Sequence, residues 1–170
     1  MDAKRRMLRH MLAALAYRTQ KALRDAPDGF GEFRAAADVR NPRELVRHIT
    51  SVLGYARTFF TGGAFRPEPL PTLDAEVERL HGILERLSEQ FEAGEFTLVS
   101  PEQLLQGPLS DAMSHAGQLA MLRRLYGSPV PPENFIFAKV SADNLTADQP
   151  APVSPDEEWT TPAGPQREDA

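Results

Sequence analysis

The chain has 170 residues with 41% apolar and 25% charged side chains, the proportions of one folded domain with a hydrophobic core. It has no cysteine, which excludes disulfide bonds, thiolate metal sites and cysteine nucleophiles, so any metal ion must be bound by His, Asp or Glu. The formal net charge is −5, of which residues 141–170 carry −6 and residues 1–140 carry +1. The nearly neutral body gives no indication of a nucleic-acid partner.

The first predicted helix spans about residues 3–25. Basic residues precede seven apolar ones that end at Tyr17, but this run is short and Arg18 follows at once. We therefore interpret the segment as an amphipathic helix and not as a targeting peptide. No stretch approaches the roughly 20 apolar residues that cross a bilayer, so we expect a cytoplasmic protein with no membrane partner. One broad apolar face contains Met7, Leu8, Met11, Leu12, Leu15, Ala22 and Leu23.

The second and third helices have clear boundary signals. Asn41 and Glu44 match a capping box, and Pro42 suits the first helical position, so the second helix is predicted to begin there. Glycines and prolines in residues 62–71 end it and form a linker. The third helix, over about residues 72–93, has the spacing of a bundle interface at Leu73, Val77, Leu80, Leu84, Leu87 and Phe91.

The fourth helical segment has two parts. Ser100 and Gln103 repeat the capping pattern and predict a short helix, which Gly107 and Pro108 are expected to break. A longer helix is predicted from Pro108 to Tyr126. The predicted fold is all-α, with a four-helix bundle over residues 1–140 and a short helix before the last long one. Residues 141–170 are predicted to form an irregular, acidic, proline-rich tail, which either packs on the bundle through Trp159 or is loose.

Three residues are candidate metal ligands. Asp111 and His115 stand four residues apart and share one face of the last helix, although an acid near a helix start is also favoured by the helix dipole. His48 lies at the edge of the apolar face of the second helix, where an imidazole needs a hydrogen-bond partner or a ligand. If these two helices adjoin, the three side chains can bind a metal ion and leave positions open for water and substrate.

The other histidines fit a metal site less well. His10 lies among basic residues near the amino terminus and is expected to be solvated. His81 and Glu78 form one Glu-x-x-His pair, whereas a ferritin-like di-iron bundle needs two such pairs and two further glutamates. The sequence also has no glycine-rich phosphate loop and no Gly-x-Ser-x-Gly motif, so it gives no support to these classes of site.

The segments ELVRHIT and DAMSHAGQLAMLRRLYGSP resemble the DinB-like (damage-inducible) superfamily of four-helix metalloproteins. That family typically presents one His from the second helix and two His four residues apart on a later helix. The resemblance places these ligands at His48, Asp111 and His115, and the stretch from His115 to Gln118 looks like the family's His-x-Gly-Gln signature. Asp111 stands where the commoner pattern has His. A carboxylate still binds Zn²⁺ and makes the site more favourable to Fe²⁺, Mn²⁺ or Ni²⁺.

The resemblance also implies a function. Relatives include metal-dependent thiol transferases and isomerases that act on low-molecular-weight thiols, which implies a divalent metal (Zn, Ni, Fe or Mn), a small-molecule substrate and a homodimer. Glu44 and Gln118 are candidates for supporting the ligands or holding substrate, with a helix cap and a surface polar residue as the alternatives. Tyr55 is a candidate pocket residue or an ordinary core residue. The alternative function is a non-catalytic bundle, an interaction or stress-related protein with a degenerate metal site.

Overall fold

The computed structural model describes residues 1–152, which contain four long helices and no β-strand. The predicted all-α four-helix bundle is confirmed, and each long helix begins within two residues of its expected start. Within residues 1–152, none of the helices combines the length and apolar character that a membrane span requires. The helices are α1 (Ala3–Leu23), α2 (Pro42–Thr61), α3 (Leu73–Ala93), the short α4 (Pro101–Leu104) and α5 (Ser110–Leu125).

Side-chain caps explain why the helices begin where they do. The Asn41 side chain accepts the Glu44 amide at 2.8 Å, and the Glu44 carboxylate accepts the Asn41 amide at 3.1 Å. Asp2 caps α1 and Thr72 caps α3 in the same way, each accepting the backbone amide three residues ahead. A cap of this kind typically stabilises a helix by about 1 kcal/mol.

The four long helices form a closed arrangement in which α1 and α2 each pack against both α3 and α5. Their apolar faces meet in one continuous core. Met7 was expected on the buried face of α1, and that prediction is wrong because it lies on the flank of the helix and is 68% exposed. The fully buried side chains at the centre include Leu12, Leu15, Leu45, Ile49, Leu53, Leu80, Ile83, Leu84, Leu87 and Leu119.

A π-helical turn, Leu105–Leu109, joins α4 directly to α5. The expected break at Gly107 and Pro108 is therefore wrong, since the chain stays helical through both residues. A π turn is wider than an α turn, and proline has no backbone N–H to satisfy inside it. Turns of this kind are frequently found beside functional sites, and this one lies directly before Asp111.

Residues Val140–Gln149 belong to the same compact unit as residues Met1–Val130. Leu145 is buried, and its carbonyl oxygen accepts the Nδ1–H of His81 at 2.5 Å. Asp143 pairs with Arg9 at 3.4 Å. The predicted tail therefore starts as a packed segment. Residues 131–139 belong to a second unit and contain a 3₁₀ turn at Phe135–Phe137, whereas Trp159 and the rest of the predicted tail, 153–170, lie outside the described residues.

Candidate metal centre

Helix α2 carries His48 toward α5. Leu45 and Ile49, on either side of His48 in the sequence, are buried in the core and fix the rotation of α2 about its axis. His48 itself is half-buried, because it lies at the boundary between this apolar face and solvent. Since α2 packs directly against α5, the condition stated for the predicted site, that these two helices adjoin, is met.

Helix α5 supplies the other two side chains from its first two turns. Ala112, Ala116 and Leu119 are buried against the bundle and orient the helix. Asp111 and His115 then project from the edge of the buried face, one turn apart, with Asp111 in the first turn of the helix. The Nε2 atom of His115 lies 3.4 Å from Oδ1 of Asp111.

The structure brings His48, Asp111 and His115 together. One ligand atom from each residue lies within 4.8 Å of the other two, and within residues 1–152 no other group of three such side chains meets this condition. The imidazole rings of His48 and His115 are 4.5 Å apart between centroids and nearly perpendicular. A tetrahedral Zn²⁺ with bonds of about 2.0–2.1 Å has ligand atoms about 3.4 Å apart, so the His115–Asp111 separation already suits a shared ion.

Gln118 lies next to this group and orients His115. Its side-chain oxygen is 3.0 Å from Nδ1 of His115. Since an amide oxygen can only accept, Nδ1 is the donor in this contact, and the neutral ring then has its lone pair on Nε2, the nitrogen that faces Asp111. Ligating histidines usually donate their other N–H to such an acceptor, which fixes the tautomer and the orientation of the ring.

The electrostatic surroundings favour a neutral His48. Burial lowers the pKa of this imidazole below its ordinary value, and the neighbouring Arg40 and His115 lower it further, while Asp111 acts in the opposite direction. A histidine must be neutral to bind a metal ion, because the proton and the ion compete for the same lone pair. His48 is therefore ready to act as a ligand at neutral pH.

The group is accessible to solvent from one side. The side chain of His115 is only 12% exposed, whereas that of Asp111 is 49% exposed. An open groove of about 680 Å³ begins at Asp111 and runs along α2 and the π turn. A small molecule in this groove would therefore lie beside Asp111, one of the three candidate ligands.

Glu44 and Tyr55, the other two residues predicted to support the site, lie outside the group of three candidate ligands. The Glu44 carboxylate is engaged by its own helix cap and by Arg34, whose guanidinium lies 2.6 Å away, and these contacts lower the pKa of Glu44. This carboxylate is thus held by the start of α2. Tyr55 is exposed and lines the groove that begins at Asp111, together with Ser51 and Ser114.

Arg40 was not predicted from the sequence to lie near the site. It directly precedes the cap of α2, and it is close enough to His48 to lower the pKa of that imidazole. Helical periodicity gives the direction of a side chain only within the helix, and Arg40 lies before its start. Only the folded chain shows where Arg40 stands.

Comparison of the chain with family models, curated proteins and solved structures finds no significant match. The chemistry of the site therefore rests on its own residues. Two imidazole nitrogens and one carboxylate oxygen, with a supporting acceptor on one imidazole, form a group that could hold a metal ion. This donor set suits Zn²⁺, Ni²⁺, Fe²⁺ or Mn²⁺.

Proposed function

We propose that the protein is a metal-dependent enzyme of the DinB-like type, which binds one divalent ion (Zn, Ni, Fe or Mn) and activates a small-molecule substrate. The observation that carries this proposal is the convergence of His48, Asp111 and His115 from two helices, with one ligand atom of each within 4.8 Å of the others. In a chain with only four histidines, two of them lie edge to face beside a carboxylate.

Each residue has a defined part in this proposal. His48 supplies a neutral nitrogen because burial lowers its pKa, and His115 supplies Nε2 because Gln118 holds the proton on Nδ1. Asp111 supplies a negative oxygen at the solvent-facing edge. Three protein ligands leave at least one position for substrate, which is the arrangement of catalytic and not of structural metal sites.

A low-molecular-weight thiol is the proposed substrate class, on the basis of the resemblance alone. A bound divalent ion would lower the pKa of a coordinated thiol and supply a thiolate nucleophile at neutral pH. The groove beside Asp111 has space for such a molecule, and Tyr55, Ser51 and Ser114 would contribute polar contacts along its wall. The proposed thiol transfer has no assigned general base. Homodimer formation and cytoplasmic location stay predictions.

Metal binding by chelator-treated full-length protein tests this function. Samples are dialysed against Zn²⁺, Ni²⁺, Mn²⁺ or anaerobic Fe²⁺, and bound metal is measured by elemental analysis. We expect nearly one ion per chain in the wild type and loss of binding in the His48→Ala and His115→Ala variants. The matched control is His10→Ala, which removes an exposed histidine of α1 and should leave metal binding unchanged.

A result without bound metal would contradict the proposal and favour the alternative, a non-catalytic bundle with a degenerate site. Equal loss of metal in the His10→Ala control would also contradict it, because binding would then reflect exposed histidines in general. If one ion binds at the predicted residues, turnover of small thiols with electrophilic acceptors tests the reaction class separately.

A further inference from the structure

A second groove has a volume of about 610 Å³ and is separate from the groove at Asp111. It is formed by the segment before α2 and by the exposed side of α5, and it reaches Gln118, the residue that is hydrogen-bonded to His115. Its volume falls within the range of about 300–1,000 Å³ that is typical of small-molecule sites. The first groove is thus lined by the candidate ligand Asp111, and the second by Gln118, which supports the candidate ligand His115.

The groove is lined by one positive and one negative side chain, Arg40 and Asp38. Arg40 lines it, and the Arg40 guanidinium makes no hydrogen bond or ion pair with any residue in the described part of the chain. The exposed Asp38 lines the same groove and is not within ion-pair distance of Arg40. A guanidinium offers two parallel N–H donors, a geometry that matches a carboxylate.

The rest of the groove is apolar. Val39 lies beside Arg40, while Met121 and Leu125 form the α5 wall and are 52% and 58% exposed. Large apolar side chains at this exposure gain free energy when a ligand covers them, by about 25 cal/mol for each Å² of apolar surface removed from water. A guanidinium and an apolar wall in one groove together fit a molecule with one negative group and an apolar body.

We propose that this groove binds a small monocarboxylate with an apolar body, held by Arg40 at its carboxylate and by Met121 and Leu125 along its chain. Because Gln118 also lines the groove, such a ligand lies close to the residue that is hydrogen-bonded to His115. Binding of the carboxylate does not require the metal. The further statement that this molecule is a substrate or co-substrate rests on the proposed function.

The size and charge of the groove favour a small molecule over a macromolecular partner. A single guanidinium matches one anionic group, whereas an extended acidic peptide would need several cations along its length. The apolar wall is limited to Val39, Met121 and Leu125, with Leu45 and Leu122 at its base. Such a surface is sufficient for one aryl or short alkyl chain.

Binding of 4-phenylbutanoate to metal-free, full-length protein tests the proposal. Its neutral analogue, 4-phenylbutan-1-ol, has the same apolar body without the charge. Both are titrated at low ionic strength, and backbone amide shifts are followed by NMR. We expect 4-phenylbutanoate to bind at least about five-fold more tightly than the alcohol, with shifts concentrated at residues 38–40 and 118–125.

Three variants test whether Arg40 causes the preference for 4-phenylbutanoate over the alcohol. Arg40→Gln should reduce the affinity for 4-phenylbutanoate about five-fold and leave that for the alcohol unchanged. Asp38→Asn should increase the affinity for 4-phenylbutanoate, because it removes a negative charge that repels the carboxylate of the ligand. Arg124→Gln, which removes an exposed cation of α5 that does not line the groove, should have no effect.

The proposal is overturned if 4-phenylbutanoate binds no better than the alcohol, if neither ligand shifts these amides, or if Arg124→Gln weakens binding as much as Arg40→Gln. These outcomes are independent of metal binding. Loss of metal at the His48→Ala variant combined with unchanged carboxylate binding would support both sites. Carboxylate binding by a protein that takes up no metal would support the groove and contradict the proposed enzyme.

Discussion

The imidazole rings of His48 and His115 lie edge to face, with their centroids 4.5 Å apart, although the two residues come from different helices. Neither ring is held by the other through a hydrogen bond, and His115 instead donates to Gln118. Each imidazole in its neutral form has one nitrogen lone pair, and a carboxylate oxygen lies 3.4 Å from His115, so the group can offer three donor atoms to a common metal ion. The predictions on metal binding follow from this relationship.

Asp111 should control the strength and the selectivity of metal binding. Asp111→Asn removes the negative oxygen that would bind the ion. Mutation of a residue that only hydrogen-bonds to a metal ligand typically lowers metal affinity by roughly 10- to 100-fold, so the loss of a ligand itself should reduce Zn²⁺ affinity by more than this. Asp111→His, which replaces the carboxylate with a third imidazole, should restore Zn²⁺ binding and reduce the preference for Mn²⁺, because imidazole is a softer ligand than carboxylate. Competition against a chromogenic chelator measures both affinities. Equal Zn²⁺ affinity in the Asn variant and the wild type would exclude Asp111 as a ligand.

Gln118 should act through the orientation of His115. Gln118→Ala removes the acceptor of the Nδ1 proton and should weaken Zn²⁺ binding about 10- to 100-fold. Gln118→Glu keeps an acceptor at the same place and should retain the wild-type affinity or exceed it. Because Gln118 is exposed, neither substitution should change the free energy of unfolding of the metal-free protein by more than about 0.5 kcal/mol. A large loss of stability in Gln118→Ala would indicate a structural role instead.

The helices and the Asp111–His115 pair could be predicted because local rules determine them. The Asn41–Glu44 capping box fixes the start of α2, and spacing by four residues places Asp111 and His115 on one face. The proximity of His48 to them depended on the packing of α2 against α5, which the sequence could state only as a condition.

Features that arise from tertiary packing could not be predicted in this way. The π turn keeps the chain helical through Pro108, because the wider turn tolerates a residue that breaks an α-helix. His81 was identified from the sequence only as an incomplete di-iron motif, yet it binds the Leu145 carbonyl from a segment 64 residues away in the sequence. Arg40 lies outside any helix, so periodicity gives no direction for its side chain.

Two glycines on the helices should respond in opposite ways to the same substitution. A Cβ at Gly54 would lie 1.9 Å from the ring of Phe65, so Gly54→Ala forces this ring to move and should cost about 1–3 kcal/mol of unfolding free energy. At Gly117 a Cβ meets nothing within 4 Å, and Gly117→Ala should stabilise α5 by about 0.5–1 kcal/mol.

Urea unfolding of the metal-free protein measures both glycine effects in the same buffer. The Gly117→Ala variant should also retain metal binding, since the added methyl group meets no atom within 4 Å. Destabilisation by Gly117→Ala would contradict the open space at that position. Unchanged stability in Gly54→Ala would contradict the close packing of Phe65 against Gly54.

His81 should make the stability of the protein depend on pH. Its side chain is only 7% exposed, and burial lowers its pKa below the ordinary value, although the Leu145 carbonyl and Glu85 act in the opposite direction. The Nδ1 proton is donated to Leu145, while Nε2 is buried without a hydrogen-bond partner in the described residues, so protonation would place an unsatisfied N–H and a charge in the interior.

The direction of this pH effect follows from proton linkage. Because the pKa of His81 is lowered on folding, the unfolded chain binds its proton first as the pH falls below about 6.5, and the free energy of unfolding decreases from there to the pKa of the folded state. Urea unfolding at about pH 7.5 and about pH 5.5 should show a smaller loss of stability in His81→Gln than in the wild type. His10→Gln, at an exposed position, should lose as much as the wild type. The opposite result is that the stability of His81→Gln depends on pH as strongly as that of the wild type. In that case protonation of His81 does not oppose folding, and the hydrogen bond to Leu145 does not require a neutral His81.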